Sequence, residues 1–171
     1  VKSCEKGFTK SWNLLISCDS VNDLKYINIP DNNFEKYLID MGYDDIMDGY
    51  VLVSNIDTIQ FLDISDKHIY DLNGIEAFKS LSVLNFSKNP IIYSFDLSKN
   101  KFLTELNCAS NAMKIGLDLE KNHLLTKLNC SWNRLSFLKI NENLKHIDCE
   151  NAWGKGTNNK CSNLKLEYNI E

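Results

Sequence analysis

One pattern is written three times between Leu81 and Asn133. "LSVLNFSKNPI" begins at Leu81, "LTELNCASNAM" at Leu103 and "LTKLNCSWNRL" at Leu125, so the starts lie 103−81 = 22 and 125−103 = 22 residues apart. A fixed period of this length constrains the fold more than any other feature. Each unit is a single supersecondary element that cannot bury its apolar face alone, so the units must stack. A weaker copy, "IQFLDISDKHI", opens at Ile59, 81−59 = 22 residues earlier, and a last one, "LKHIDCEN", opens at Leu144, 144−125 = 19 residues later. Five coils are therefore predicted, the fourth shortened. Their second halves repeat as well, "FDLSKN", "LDLEKN" and "LKINEN", ending at Asn100, Asn122 and Asn143. Each coil should have a longer concave strand and a shorter extended segment on the convex side.

The form L-x-x-L-x-[F/C]-x-x-N-x-[apolar] is the leucine-rich-repeat signature, and it assigns a direction to every side chain. The fold class expected is an α/β-type solenoid, a short right-handed coil with a parallel concave sheet, an N-terminal helical cap and a C-terminal strand cap. The first, fourth and sixth positions of each coil point inward and stack into columns. The sixth column reads Ile64, Phe86, Cys108, Cys130, Cys149, and the ninth holds Asn89, Asn111 and Asn133. Those amides can bond the backbone where the chain leaves the sheet and would otherwise strand polar groups. The ninth column fails at Lys67 and Ala152, as terminal repeats commonly do.

Four segments follow: an arm over 1–25, a cap over 26–58, repeats over 59–151 and a closing cap over 152–171. In the arm, Cys4 and Cys18 either bridge or remain free thiols. "YINIP" reads as a strand ended by Pro30. In "DNNFEKYLIDMG", Asp31 or Asn32 can cap a helix, Asn32 and Glu35 have capping-box spacing, and Phe34, Leu38 and Met41 form one apolar stripe before Gly42. "NLKLEYNI" alternates Leu164, Leu166, Tyr168 and Ile170 on one face, as a strand closing the last coil would.

Composition excludes several functions. The 171 residues carry a net charge of −4 with no Lys/Arg cluster, so no electrostatic footprint for nucleic acid exists. No apolar run approaches the roughly 20 residues of a membrane helix, and "LLIS" is too short for a signal core; a targeting segment removed before Val1 is compatible with this. Cys108, Cys130 and Cys149 run along one dry line and read as small apolar thiols, since zinc needs ligands that converge. Cys161 is a possible bridge partner for Cys149 across the closing cap. His68, His123 and His146 fall at unrelated places, so no nucleophile-base arrangement is expected, and "GKG" at Gly154 lacks its flanking strand and helix. Neither enzyme chemistry nor a cofactor is predicted. Asp44, Asp48 and Gly49 match a calcium loop at three positions, but Ile46 and Asn55 stand where ligands are required, leaving a solvated turn as the reading. Asn85-Phe-Ser and Asn129-Cys-Ser match the glycan-acceptor sequon formally, on residues assigned to the sheet.

What remains is the concave face. Its fifth column, Asp63, Asn85, Asn107, Asn129, Asp148, is a polar ladder in which neighbouring amides can bond one another and stabilise the stack. Its third column, Phe61, Val83, Glu105, Lys127, His146, varies as a recognition surface would. Trp132, in the eighth column with Lys88 and Ser110, is the candidate anchor, because aromatics dominate interface energetics and stack on sugar rings. Alternatively it packs over the turn beside Asn111 or against the closing cap. The candidate ligand-binding residues are thus Trp132, Lys127, His146, Phe61 and Glu105, with Trp153 a lesser one. Strands of about five residues would give a flat area on the order of 400 Å².

At "YINIPDNNFEKYLIDMGYDD", "DGYVLVSNIDTIQFLDIS" and "IYDLNGIEAFKSLSVLNFSKN" the chain resembles secreted or surface-anchored bacterial leucine-rich-repeat proteins related to internalins, from Tyr26 to Asn151, or 126 of 171 residues. In those a helical cap precedes repeats of the form L-x-x-L-x-C-x-x-N-x-L. The resemblance implies an extracellular, cell-surface or outer-membrane location and non-catalytic binding of a protein partner or a surface glycan. It also allows calcium in related caps, and Asp19-Ser-Val and Asp57-Thr-Ile are similar to O-glycan acceptor motifs of some such bacteria. A structural accessory subunit of a larger outer-membrane assembly is the alternative expectation.

Overall fold

The computed structural model describes residues 8–11, 14–17 and 25–152, and in it the repeats build a parallel β-solenoid. The concave sheet contains β5 (Phe61–Asp63), β6 (Val83–Asn85), β7 (Glu105–Asn107), β9 (Lys127–Asn129) and β11 (His146–Asp148), paired in that order and all parallel. Five strands bound four complete turns. The register follows the period, Phe61 beside Val83, Glu105, Lys127 and then His146. Each strand holds three residues, not five.

Inside, the columns are those the spacing predicts. Leu81, Leu103 and Leu125 in the first position, Leu84, Leu106 and Leu128 in the fourth, and Ile64, Phe86, Cys108, Cys130 and Cys149 in the sixth are all buried. Each large apolar side chain so placed contributes about 1.5–3 kcal/mol relative to exposure, and no single coil could collect that alone. The Phe86 ring meets Phe95 edge-on at 5.4 Å, filling the second coil.

Two buried asparagine columns hold the corners. At the first, Asn133 Nδ2 donates to the Cys108 carbonyl of the preceding coil at 2.9 Å and to the Cys130 carbonyl of its own at 3.0 Å, while its Oδ1 accepts from the Met113 N–H at 3.1 Å. Asn89 bridges in the same way to the Ile64 and Phe86 carbonyls and to the Lys67 and Ile69 N–H groups. At the second corner, Asn100 donates to the Ile75 and Phe78 carbonyls, and Asn122 to those of Leu97 and Asn100.

The next member of this second column is Asn141, which donates to the Asn122 carbonyl at 2.9 Å and the Leu125 carbonyl at 3.2 Å. Asn143, which ends the string equivalent to those ending at Asn100 and Asn122, is instead exposed. Aligning the strings by their final Asn places two of the three residues missing from the 19-residue coil after that Asn, where the structure has lost none. Pairing on the convex side shows where the residues are lost: β8 (Leu117–Asp118) lies beside β10 (Leu138–Lys139) at a spacing of 138−117 = 21, whereas Asn122 and Asn141 are 141−122 = 19 apart. Two residues are therefore removed between Lys139 and Asn141. Beside this strand pair the Phe137 ring lies so close to Gly116 that an added Cβ would sit 2.0 Å from it, which is why no side chain is found there.

Before the repeats, β3 (Tyr26–Asn28) pairs antiparallel with β4 (Tyr50–Leu52), and α1 (Asn32–Asp40) lies between them in sequence. Asp31 is the N-cap: Oδ1 accepts from the Asn33 and Phe34 N–H groups, and Oδ2 from Tyr70 and Asp71 of the first coil at 2.7 and 3.2 Å. Phe34 stacks on Phe78, with ring centroids 6.0 Å apart, so the helix is fixed to the first coil by both polar and apolar contacts. Gly42, with φ of 77°, ends the helix as expected. Two details differ. Met41 occupies the C-cap and is 53% exposed, off the buried stripe of Phe34 and Leu38. Glu35 does not close a capping box; it is buried and accepts from the Asp48 and Gly49 N–H groups at 2.7 and 2.5 Å. A short helix, α2 (Val53–Ile56), follows β4.

In the arm, β1 (Phe8–Ser11) and β2 (Leu14–Ser17) form an antiparallel pair that the sequence reading did not foresee. Cys4, Cys18, Trp153, Cys161 and the closing strand predicted over 164–170 lie outside the described residues. The register of the shortened coil gives a direct test. Asn141→Ala, which strips two buried carbonyls of their donor, should lower stability by about 2–4 kcal/mol, whereas exposed Asn143→Ala should stay within about 0.5 kcal/mol, as read from urea midpoints. The reverse ranking would restore Asn143 to the corner.

Candidate functional site

The concave surface is built by alternation along each three-residue strand: the middle residue points inward and its two neighbours outward. Glu105, Lys127 and His146 thus stand side by side on β7, β9 and β11, with Asn107, Asn129 and Asp148 two residues further along. These six residues line one open depression of about 330 Å³, floored by Leu106, Leu128 and Ile147. Three of the five predicted contact residues are therefore brought together. Phe61 is not among them. It is 66% exposed on the same sheet but on β5, two strands beyond β7.

Lys127 Nζ and the Glu105 carboxylate form an ion pair at 2.6 Å, with side chains 55% and 43% exposed. At that exposure it contributes little to stability. Its effect is to cancel opposite charges on the floor of the depression.

The fifth-position ladder is spent unevenly. Each member uses Oδ1 to accept an N–H two residues on, from Ser65 to Asp63, Ser87 to Asn85, Ala109 to Asn107, Ser131 to Asn129 and Glu150 to Asp148. Only Asn85 also bonds along the ladder, giving its Nδ2 to Asp63 Oδ2 at 3.1 Å. For Asp63, desolvation works against ionisation, but the Ser65 hydroxyl and N–H and the Asn85 amide outweigh it and hold the carboxyl below its usual range. Amide-to-amide bonds along the rest of the column, anticipated from sequence, are not made; the strand spacing leaves each Oδ1 closer to its own turn than to its neighbour.

Trp132 stands on the rim, just past β9. The eighth position of every coil, Asp66, Lys88, Ser110, Trp132 and Asn151, has φ between 53° and 59°, the left-handed region. The cause is the coil itself: the N–H groups of Asp66, Lys88, Ser110 and Trp132 bond the carbonyls of Ser87, Ala109, Ser131 and Glu150 in the following coil. Asn or Gly suits such a position and a large aromatic does not. The indole is nevertheless 59% exposed, and the closing cap against which it would alternatively pack lies outside the described residues.

The thiols form a second, closed group. Cys108 and Cys130 are free and buried. Burial pushes the Cys108 thiol well up, and Cys130 is pushed up to about 12 by burial with the Asp148 charge adding, so both are held as thiols. Cys149 is disulfide-bonded. In the Asp44–Gly49 turn, burial raises the Asp44 carboxyl, and Asp48, Glu35 and Asp45 raise it further against the opposing Asp45 N–H. Among the described residues no three His, Cys, Asp or Glu side chains converge as metal ligands do.

With this geometry in view, comparison with solved structures is informative. The functional domain of InlJ from Listeria monocytogenes, described as including a cysteine ladder, superposes with a TM-score of 0.65 at 29% identity over 74% of this chain. The chain has an internalin-like leucine-rich-repeat fold. An internalin, InlF, from Listeria monocytogenes 4b F2365 gives 0.59 at 17% identity over 72%. This chain spans 29% and 44% of those two proteins' lengths. No family model and no curated protein matches it.

Two outcomes are expected. Trp132→Gly should raise stability by about 1 kcal/mol by relieving the left-handed backbone, seen as a higher melting temperature; a fall would mean the indole packs. Iodoacetamide at pH 8 should leave Cys108 and Cys130 unlabelled in the native protein and label both in urea, since only the thiolate reacts. Rapid native labelling would place the sixth column in water.

Proposed function

We propose that the chain is a non-catalytic recognition module working at a bacterial cell surface, its partner a protein or a surface glycan held on the concave depression and its rim. The observation that carries this reading is Trp132. The fold imposes φ of 54° there, a large side chain is unfavourable in that conformation, and the residue is left 59% exposed. A residue that the solenoid does not need is explained by something outside it. Three-residue strands at about 4.8 Å spacing give a flat face of only about 200 Å², so a partner must also reach the rim. The internalin-like solenoids support a binding role, and no helix among the described residues is long and apolar enough to cross a membrane.

A second reading, a structural subunit of an outer-membrane assembly, is favoured by a different observation. Tyr70, Ile92 and Tyr93 are exposed on adjacent coils, where the Ile92 N–H bonds the Tyr70 carbonyl at 3.1 Å, and they make an apolar flank away from the concave face. The two readings separate in one experiment. Captured on native surface extract, the protein should lose its partner on Trp132→Ala with an unchanged melting temperature, while Ile92→Asp retains it. The opposite pattern would move the contact to the flank and favour the assembly subunit.

A further inference from the structure

We propose that Asn107, Asn129 and Asp148 form a row of subsites for a neutral, hydroxyl-rich glycan chain lying along the solenoid axis. This deepens the recognition reading and rests on it. The row is defined by which hydrogen-bonding groups the protein has already used. In Asn107 and Asn129 the backbone N–H of the following turn fixes Oδ1 as the inward acceptor, so Nδ2 must face the depression, and neither Nδ2 has a partner among the described residues. Asp148 is held by the same turn through Oδ1, leaving Oδ2 as an acceptor. The face thus offers donor, donor and acceptor in steps of about 4.8 Å, on rigid strands. The row begins at Asn107 because Asn85 has given its amide to Asp63.

Spacing and charge select the ligand. An extended peptide turns successive backbone groups to opposite sides, so those aimed at the row recur about every 6.6 Å and fall out of step with it within two residues, and the interior of a helix has no free backbone groups to offer. A sugar hydroxyl both donates and accepts and rotates to suit either, so the closely spaced hydroxyls of a linear chain can meet the donors and the acceptor of the row alike. Lys127 is neutralised by Glu105 at 2.6 Å, so the depression carries the unbalanced charge of Asp148 and disfavours an acidic chain. Trp132, exposed on the rim of the same coil as Asn129, offers a face on which a ring of the chain can stack.

The test is titration calorimetry of the full chain with linear hexamers of β-1,4-glucose, β-1,4-N-acetylglucosamine, α-1,4-glucose and mannose, with hyaluronan as the acidic comparison. At least one neutral hexamer should bind saturably and hyaluronan should not. Asn129→Asp and Asn107→Asp keep the turn that Asp63 and Asp148 make in the same column, so each should fold normally while reversing a donor and weakening the bound hexamer about tenfold or more. Lys101→Ala, at an exposed residue outside the lining of the depression, should bind as the unaltered protein does. Absence of binding by all four neutral hexamers overturns the proposal, as does full affinity in Asn129→Asp. In that event capture of enzymatically deglycosylated surface protein, lost on Trp132→Ala, would leave the recognition module standing with a protein partner; no capture of either kind would remove both.

Discussion

The structure depends on how a turning chain satisfies its backbone. Each coil leaves its strand after three residues, and the carbonyls and N–H groups at the bend are buried between coils where water cannot reach them. One side chain resolves this. Asparagine carries two donors and an acceptor on a single methylene, short enough to stay inside the corner and able to reach both its own coil and the preceding one, as Asn133 does with Cys130 and Cys108. Leu, Ile and Cys supply the greater part of the burial energy, but they would accept many stacking offsets. The asparagines accept one.

From that offset the remaining geometry follows. Because corner bonds link each coil to the next, the eighth residue is forced to a left-handed backbone so that its N–H meets the following carbonyl. Asp66, Ser110 and Asn151 are small polar residues at this position, Lys88 places a flexible chain in solvent, and Trp132 stands apart as a rigid apolar plane. The same offset holds outward residues of neighbouring strands about 4.8 Å apart, which is what makes a chemical row of Asn107, Asn129 and Asp148 possible.

Much of this was legible in the string because the period is long, regular and punctuated by residues with one evident task. The inward columns, the corner at Asn89, Asn111 and Asn133, and the strand register all follow from counting. Other features depend on contacts that counting does not contain. A deletion can be split between the two halves of a coil, and only the partners of Asn141 show that it was. Glu35 has capping-box spacing, yet a buried carboxylate goes to the strongest donors within reach, here the Asp48 and Gly49 N–H groups across the turn. Met41 continues the stripe in sequence but comes after the last helical turn. On the concave face the column of candidates was visible, whereas the division between spent and unspent amides was not, since it depends on which oxygen each turn captures.

That division gives the face a polarity its composition hides. At the N-terminal end, Asp63 and Asn85 satisfy each other beside exposed Phe61 and half-buried Val83, so the first two coils present an apolar strip with little hydrogen bonding to offer. From Asn107 onward only the Oδ1 atoms are engaged, the Nδ2 groups of Asn107 and Asn129 having no partner among the described residues, and the charges of Glu105 and Lys127 are internally balanced. A ligand docking over both halves would desolvate Phe61 profitably but would strand the amides unless it brought hydroxyls or carbonyls in step with them, and an unmatched buried amide costs about 1–3 kcal/mol. On the proposed reading, selectivity on this surface would arise less from attraction than from that penalty, which grows with each strand the ligand crosses toward β11.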